Sequence, residues 1–207
     1  MGEAANSRAV TEDPQMYARA IRLHFAWALI AFLATTPLMA QVVANDAYGV
    51  SDYTVPGTVR IINTGQIGSP IDVGTRHGTV CANIYVFDAN QEMLECCSCP
   101  ITANGLLTMD VAAQLLNQPL TGVTPDAGVV KVVADTGCNP TSVTSPVPHA
   151  LAACIVKILD KASPKLVESC LAPAPLQNQE AAFLGNACSF VLYLGSGKGL
   201  CACGLAA

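Results

Sequence analysis

Short apolar and β-branched runs, separated by turn-forming residues, dominate the pattern of the chain. Runs of this kind, bounded by Gly, Pro, Asn or Asp, predict β-strands; they lie at 58–63, 79–87, 92–99, 106–111 and 128–134. Residues 149–159 fit either a strand or a short helix, because a short apolar run such as LAACIVKIL does not separate the two. The segments 64–78 and 135–148 are predicted loops, and 112–116 a short helical turn.

One segment towards the C-terminus has a helical period instead. Between Gln177 and Leu194, apolar residues recur at steps of three and four, which places them on one predicted helical face: Phe183, Leu184, Ala187, Phe190, Val191 and Leu194. The glycine-rich segment 195–197 is predicted to end the helix.

An uncharged apolar stretch sets the N-terminus apart. Residues 23–45 contain no Asp, Glu, Lys or Arg, and two arginines precede them. A positive flank, a short apolar core and small residues at its end are typical of a secretory signal. We predict a signal helix that is cleaved after Ala44, with Ala40 as the second choice; Met1 and Met16 are both candidate start residues.

The alternative for this stretch is an uncleaved membrane anchor, since about 20 apolar residues span a bilayer. The predicted organisation is therefore a signal peptide or membrane anchor at 1–44, a polar, turn-rich N-terminal arm at 45–57, and one β-rich domain at 58–207. No second apolar run reaches that length, so no membrane contact is expected beyond the N-terminal segment. The predicted location is secreted or cell-surface, with an anchored form as the alternative.

The charge of the chain argues against several partners. Ten Lys and Arg stand against 15 Asp and Glu, a formal net charge of −5 at pH 7. Binding of nucleic acid depends on basic side chains that neutralise phosphates, and docking on anionic lipid depends on basic clusters. We therefore expect no nucleic-acid partner.

The cysteines give the strongest chemical signal. All ten follow the apolar stretch: Cys81, Cys96, Cys97, Cys99, Cys138, Cys154, Cys170, Cys188, Cys201 and Cys203. An exported chain folds in an oxidising compartment, where an even number of thiols predicts five disulfides. The spacings are CC and CxC, whereas structural zinc sites usually have paired CxxC ligands. Structural disulfides are therefore favoured over a metal site or a redox-active pair, and no metal or cofactor is predicted. The fold class is mainly β: a single disulfide-rich β-sandwich with one C-terminal helix at about 177–194.

A predicted hairpin constrains the pairing of Cys81. If Asp88 and Glu92 flank a three-residue loop between strands 79–87 and 92–99, Cys81 lies opposite Cys99. A slightly different loop places it opposite Cys97. The sequence therefore predicts a bridge across the hairpin from Cys81 to one of these two residues.

The cysteine cluster of Cys96, Cys97 and Cys99 should form bridges in different directions. Side chains alternate along a strand, so Cys97 and Cys99 share one face and Cys96 points to the other. A bridge between the adjacent Cys96 and Cys97 would strain the backbone. At least one member of the cluster is therefore expected to pair with Cys201 or Cys203.

Other candidate sites fit ordinary turns better than functional motifs. The segment 195–199, GSGKG, lacks the residues of a phosphate-binding loop, and its predicted helix precedes it. The segment 88–92 has alternating oxygen-bearing side chains but lacks the Gly and Glu of an EF-hand loop. His77 and His149 accompany no GxSxG or ordered Ser–Asp–His pattern. No catalytic, cofactor-binding or metal-binding residue is predicted.

Two blocks of sequence resemble uncharacterised exported, cysteine-rich bacterial proteins: GTVCANIYVFDANQEMLECCSCPITANGLLT (78–108) and ACSFVLYLGSGKGLCACG (187–204). The resemblance implies an exported bacterial protein and no particular activity. The short strands, the turn at 87–91 and the GVVKVV strand also look like immunoglobulin-like β-sandwich modules of surface proteins. This is a likeness of fold, which does not determine function.

These observations lead to three hypotheses. The first is a non-enzymatic extracytoplasmic structural or adhesive domain, stabilised by about five disulfides, whose partners are itself or other cell-surface proteins. The second is a subunit of a secreted filament, in which the arm at 45–57 and the strand at 58–63 add to a neighbour's sheet. The third is an exported hydrolase or thiol oxidoreductase.

Overall fold

The computed structural model describes residues 47–68, 77–158, 165–195 and 197–203. The predicted signal or anchor segment at 1–44 lies outside these residues. The strands are β1 (Tyr48–Thr54), β2 (Gly57–Asn63), β3 (Val80–Asp88), β4 (Met93–Ile101), β5 (Leu106–Asp110), β6 (Ala127–Asp135), β7 (Leu151–Ile158), β8 (Leu166–Cys170) and β9 (Ala172–Ala174). A π-helical turn, Val111–Leu115, follows β5, and the helix α1 spans Asn178–Gly195. Neither helical element of the described ranges has the length and hydropathy of a membrane-spanning segment.

The strands form two antiparallel sheets that pack as a sandwich. The five-stranded sheet has the order β4-β3-β6-β1-β9, and the four-stranded sheet has the order β5-β2-β7-β8. Both contribute buried side chains to the same core, including Tyr53 and Ile84 from the first sheet and Ile61, Met109 and Ile155 from the second. The predicted β-sandwich is confirmed.

The burial patterns explain why these segments are strands. Along β2, Val59, Ile61 and Asn63 are buried while Arg60 and Ile62 are exposed, the period of two expected where one face meets the core. All but the last residue of β3 are buried, because α1 and the loop after β6 cover the opposite face of the five-stranded sheet. The predicted strands agree with β2 to β6, and the ambiguous run at 149–159 is β7.

The prediction of an N-terminal arm at 45–57 is wrong for Tyr48–Thr54. These residues are β1, which lies between β6 and β9 and pairs with both. Gly49, Ser51 and Asp52 dilute its apolar pattern, so the stretch looks like a polar extension in the sequence. Its side chains nevertheless alternate, with Tyr48 packed under α1 and Tyr53 in the core between the sheets.

A bulge in the β3–β4 hairpin sets the directions of the cysteines. Next to the turn, Phe87 pairs with Met93, as a three-residue loop requires. The register then shifts by one residue, so that Cys81 lies opposite Pro100. Cys81 therefore points to the helix-covered face, away from Cys97 and Cys99. The predicted bridge from Cys81 across the hairpin is wrong for this reason.

Gly128 at the start of β6 allows a close approach of three strands. A Cβ atom at this position would overlap the carbonyl oxygen of Phe87 and the hydroxyl of Tyr53, which donates a hydrogen bond to that same oxygen. We expect Gly128→Ala to destabilise the fold by about 1–3 kcal/mol through overpacking. Urea denaturation measures this against Gly137→Ala, whose Cβ would make only ordinary contacts. Equal stability of the two variants would contradict the prediction.

Candidate functional site

All ten cysteines are paired within the described residues. The bridges are Cys81–Cys138, Cys96–Cys188, Cys97–Cys201, Cys99–Cys203 and Cys154–Cys170. Five bridges in one domain of this size are typical of proteins that fold in an oxidising compartment.

The cysteine cluster anchors β4 on both of its faces. Cys96 points to the helix side and is bonded to Cys188 in the middle of α1. Cys97 and Cys99 point to the core between the sheets and are bonded to Cys201 and Cys203. As the sequence predicts, the bridges of the cluster leave β4 in different directions, and at least one of them reaches Cys201 or Cys203.

Residues 197–203, here called the tail, run along the free edge of β4. The N–H of Cys96 donates to the carbonyl of Gly199 at 2.9 Å, and the N–H of Cys201 donates to that of Cys96 at 3.4 Å. On its other side the tail is bonded to the segment after β5, since Gly199 N–H donates to Gln118 at 2.7 Å and Ala202 N–H to Gln114 at 2.9 Å. The tail thus covers a strand edge that would otherwise present unpaired backbone groups.

The two tail bridges, Cys97–Cys201 and Cys99–Cys203, lie side by side. The Sγ atoms of Cys97 and Cys99 are 3.8 Å apart, and those of Cys97, Cys99 and Cys203 all lie within 4.8 Å of one another. Three sulfurs at this separation resemble a thiolate metal site, but a metal ligand must be a thiolate. Each of these sulfurs is in a disulfide, so the arrangement is a pair of adjacent bridges.

An exposed apolar stripe runs along the outer side of α1. It consists of Phe183, Ala187, Phe190 and Leu194 with the adjacent Tyr193, and is called the outer stripe below. Phe183 is 50% exposed, Phe190 60%, Tyr193 85% and Leu194 50%. Ala187 is half-buried between them.

The residues of the predicted helical face divide between two sides of α1. The residues of α1 that face the sheet are Leu184, Cys188 and Val191, so of the predicted set only Leu184 and Val191 are buried. Phe183, Phe190 and Leu194 instead face outward, and Tyr193 was not singled out by the sequence analysis. Phe183 keeps one contact with the sheet, its ring stacking on Phe87 at 6.3 Å.

Three contacts fix the rotation of α1. The bridge to Cys96 holds Cys188 against the sheet. Gly185 lies so close to the 139–143 loop that a Cβ would come within 2.6 Å of the Thr141 carbonyl oxygen. In the first turn, the carboxylate of Glu180 accepts from Lys131 Nζ at 2.6 Å and from the Tyr48 hydroxyl at 3.2 Å. In the sequence, the cysteine at position 188 was the feature that could have indicated which side of α1 faces the sheet.

An apolar cleft of about 330 Å³ lies between β1 and β7. Leu151, Leu171 and the Cys154–Cys170 bridge line it, and its polar side chains are Tyr48, Thr64 and His149. The hydroxyl of Thr64 donates to the backbone carbonyl of His149 at 2.9 Å. Among the residues that the structure describes, the lining contains no acidic one, and His77 is not part of it but lies in an exposed turn. The two histidines are therefore not brought together with a carboxylate in this cleft.

Glu95 is a buried carboxyl that the sequence analysis did not single out. It is 0% exposed, and its Oε1 accepts from the backbone N–H of Gln118 at 2.7 Å. Oε2 has no hydrogen-bond partner within the described residues. Burial raises the pKa of Glu95 from 4.5 to about 7, partly offset by the bond from Gln118. A single acid within the otherwise apolar run 93–97 was the sequence signal for this site.

The remaining candidate sites are turns, as predicted. The carboxylate of Asp88 accepts from the backbone N–H groups of Asn90 and Glu92 at 2.8 and 2.9 Å, which closes the hairpin. The segment after α1 turns back on itself, with Lys198 N–H donating to the Gly195 carbonyl at 2.8 Å. Both segments use their polar groups to hold the backbone.

In comparisons with known proteins, no family model matches the chain, and neither a curated protein nor a solved structure is significantly similar to it.

Proposed function

We propose that this protein is a non-enzymatic, extracytoplasmic adhesion module that associates with a second copy of itself through the outer stripe. The observation that carries the proposal is the exposure of four large apolar side chains on one side of α1. Monomeric soluble proteins rarely expose large contiguous apolar patches, and such patches mark interaction sites.

The spacing of the stripe favours a helix as its partner. Phe183, Ala187, Phe190 and Leu194 follow one another at steps of four, three and four, the pattern of a seam at which two helices pack. The same pattern occurs a second time on the buried side of α1, where it packs on the sheet. The helix therefore has one apolar stripe for its own core and another for a partner.

Charge favours a second copy as that partner. Glu180 is the single charged residue of α1, and it is paired with Lys131 at the far end from Tyr193. Two outer stripes can therefore meet without like-charge repulsion, although each chain has a net charge of −5. Phe183 lies at one end of the stripe and Phe190, Tyr193 and Leu194 lie towards the other. An antiparallel pair related by a two-fold axis would therefore place Phe183 of each copy against the larger apolar end of the other.

The area of the stripe indicates a weak dimer. With roughly 150–250 Å² for each whole side chain, the four exposed fractions amount to about 400–600 Å². Stable interfaces bury about 800 Å² on each partner, and weak encounters fall below about 1,200 Å² in total. We therefore propose reversible self-association, strengthened where many copies are held on one surface.

Strand addition has less support as the mode of assembly. The segments expected to add to a neighbour's sheet contain β1 and β2, and each of these strands is already paired on both sides. The tail covers the outer edge of β4. The five disulfides and the resemblance to exported, cysteine-rich bacterial proteins support a location outside the cytoplasm.

Substitution within the outer stripe tests this proposal. The protein is expressed with export to an oxidising compartment, purified in its oxidised form and examined by sedimentation equilibrium up to about 1 mM. We expect a dimer with a Kd on the order of 10 µM. The double variant Phe190→Glu with Tyr193→Glu should weaken dimerisation at least about 30-fold, because it removes two large side chains and introduces four like charges into the dimer.

A matched variant separates the effect of the stripe from that of added charge. Val123→Glu with Leu166→Glu adds the same two charges at apolar residues that are 69% and 66% exposed outside α1. This variant should dimerise like the wild type, and both variants should keep the wild-type circular dichroism spectrum. A wild-type protein that stays monomeric at about 1 mM, or equal weakening by both variants, would exclude the second copy as the partner.

A further inference from the structure

We propose that the two tail bridges form a thiol–disulfide exchange site, at which an external thiol converts Cys97–Cys201 and Cys99–Cys203 into Cys97–Cys99 and Cys201–Cys203. The tail would then lose both of its covalent ties to β4. This inference is independent of the outer stripe and of the proposed self-association.

Accessibility determines where an external thiol attacks. Cys203 is exposed, whereas Cys97, Cys99 and Cys201 are at most 3% exposed. The incoming thiolate therefore reaches the Sγ of Cys203 first. A mixed disulfide forms between Cys203 and the thiol, the Cys99–Cys203 bond breaks, and Cys99 leaves as a thiolate.

The nearest sulfur of the other bridge then becomes the target of Cys99. Its Sγ lies 3.8 Å from that of Cys97, close to the roughly 3–3.5 Å of a near-attack arrangement. Attack by Cys99 forms the Cys97–Cys99 bond, breaks Cys97–Cys201 and leaves Cys201 as a thiolate. Burial of both sulfurs away from bulk solvent favours this intramolecular step over capture by a second external thiol.

The last step returns the external thiol. Cys201 attacks the mixed disulfide at Cys203, two positions along the same segment, and expels the original thiolate as the Cys201–Cys203 bond forms. Two disulfides are present before and after, and one thiol is consumed and released. The exchange therefore needs no oxidant or reductant, and a small amount of thiol can act on many copies of the protein.

The geometry permits the rearranged bridges but favours the present ones. Residues two apart on a strand lie on one face with Cα atoms about 6.6 Å apart, at the upper end of the roughly 4.4–6.8 Å found for disulfides. The present bridges have Cα separations of 5.3 and 5.5 Å. The rearranged bridges are therefore less favourable, and release of the tail offsets part of the difference through its gain in conformational freedom.

Tryptic mapping under non-reducing conditions distinguishes the two states. The native, oxidised protein is incubated with substoichiometric reduced glutathione, quenched with acid, blocked with N-ethylmaleimide and digested. Cleavage after Lys198 leaves the peptide 199–207 bonded to the peptide of β4 if the bridges are unchanged. Because the present bridges are the more favourable ones, we expect a minor fraction of this peptide to be released, with an internal bridge, two hydrogens lighter than its dithiol and free of N-ethylmaleimide.

The control variants remove equal numbers of cysteines. Cys99→Ser with Cys203→Ser removes the exposed bridge and should change the products: with glutathione, no internally bridged peptide should form. Cys154→Ser with Cys170→Ser removes the β7–β8 bridge and should leave the rate of peptide release within about threefold of the wild type. If either variant fails to fold, the measurement on the wild type is sufficient to test the proposal. The absence of any released, internally bridged peptide from the wild type, or its release only as an alkylated dithiol or glutathione adduct, would overturn the proposal.

Discussion

We expect the oxidised protein to melt roughly 10–20 °C lower when alanine replaces all four cysteines of the tail bridges, a loss of about 5 kcal/mol. Each bridge spans 104 residues of sequence, but Cys96–Cys188 already joins the same two regions. The first tail bridge therefore closes a ring of only about 15 residues, worth about 3 kcal/mol in the chain-entropy treatment. The second closes a much smaller ring and adds about 2 kcal/mol.

A graded series of variants measures this contribution. Cys99→Ala with Cys203→Ala removes one tail bridge and should cost about 2 kcal/mol, less than half of the fourfold variant. Differential scanning calorimetry without added thiol gives both melting temperatures. An unchanged melting temperature in the fourfold variant, with the other three bridges intact by peptide mapping, would show that the tail does not hold β4 in place.

We also expect the free energy of unfolding to fall by about 2–3 kcal/mol between pH 5 and pH 8 because of Glu95. Its pKa is about 7 in the folded protein and 4.5 ordinarily. Between these values the unfolded chain releases the proton while the folded protein keeps it, so the unfolded state gains stability as the pH rises. Below pH 4.5 both states are protonated, and above pH 7 the cost is constant.

Glu95→Gln should remove this dependence. Its amide oxygen can still accept from Gln118, and no charge is buried at high pH. The variant should match the wild type near pH 4.5 and be more stable by about 2–3 kcal/mol at pH 8, as measured by urea denaturation. Glu92→Gln, in the exposed hairpin turn, is the control and should keep the wild-type slope. Parallel pH curves for the wild type and Glu95→Gln would contradict the burial of a carboxyl at this position.

Another acid contributes to pH dependence in a different range. The hydrogen bond from Lys157, 2.5 Å away, is the largest influence on Asp52 and lowers its pKa from 3.8. Because its pKa is lowered in the folded protein, Asp52 stabilises the folded state at pH values above its ordinary pKa. This stabilisation is lost as the pH falls through the folded-state pKa. The pH dependence that comes from this ion pair therefore falls below about pH 4, outside the range in which Glu95 titrates.

Much of the sandwich could be predicted because its strands carry their own signals. The β-branched runs of β2, β3 and β6 are bounded by turn residues, and the Asp88 turn has the predicted loop. The strand β1 and the short β8 and β9 were missed, since polar residues or prolines weaken their patterns. Tertiary pairing with β6, which no local pattern reveals, makes β1 a strand.

The candidate site was less predictable than the fold. A bridge from the cysteine cluster to the tail could be predicted from the alternation of side chains along β4. The partner of Cys81 could not, because it depends on a one-residue bulge that the local sequence does not mark. The orientation of α1 was undetermined for a similar reason. Two apolar stripes, one containing Leu184 and Val191 and the other Phe183 and Phe190, lie side by side on the helix. Periodicity alone cannot say which of them faces the sheet. The immunoglobulin-like likeness stays a prediction.

The bulge in the hairpin also bears on the order in which bridges form during synthesis. Cys97 and Cys99 are made 104 residues before their partners, an interval of about 5–20 s at roughly 5–20 residues per second. Outside their own cluster, Cys81 is their nearest earlier thiol, on the adjacent strand of a hairpin that can already pair. The shifted register turns Cys81 to the other side of the sheet. One extra residue beside the turn thus disfavours a wrong bridge from Cys97 or Cys99 to Cys81 during the interval before Cys201 and Cys203 are made.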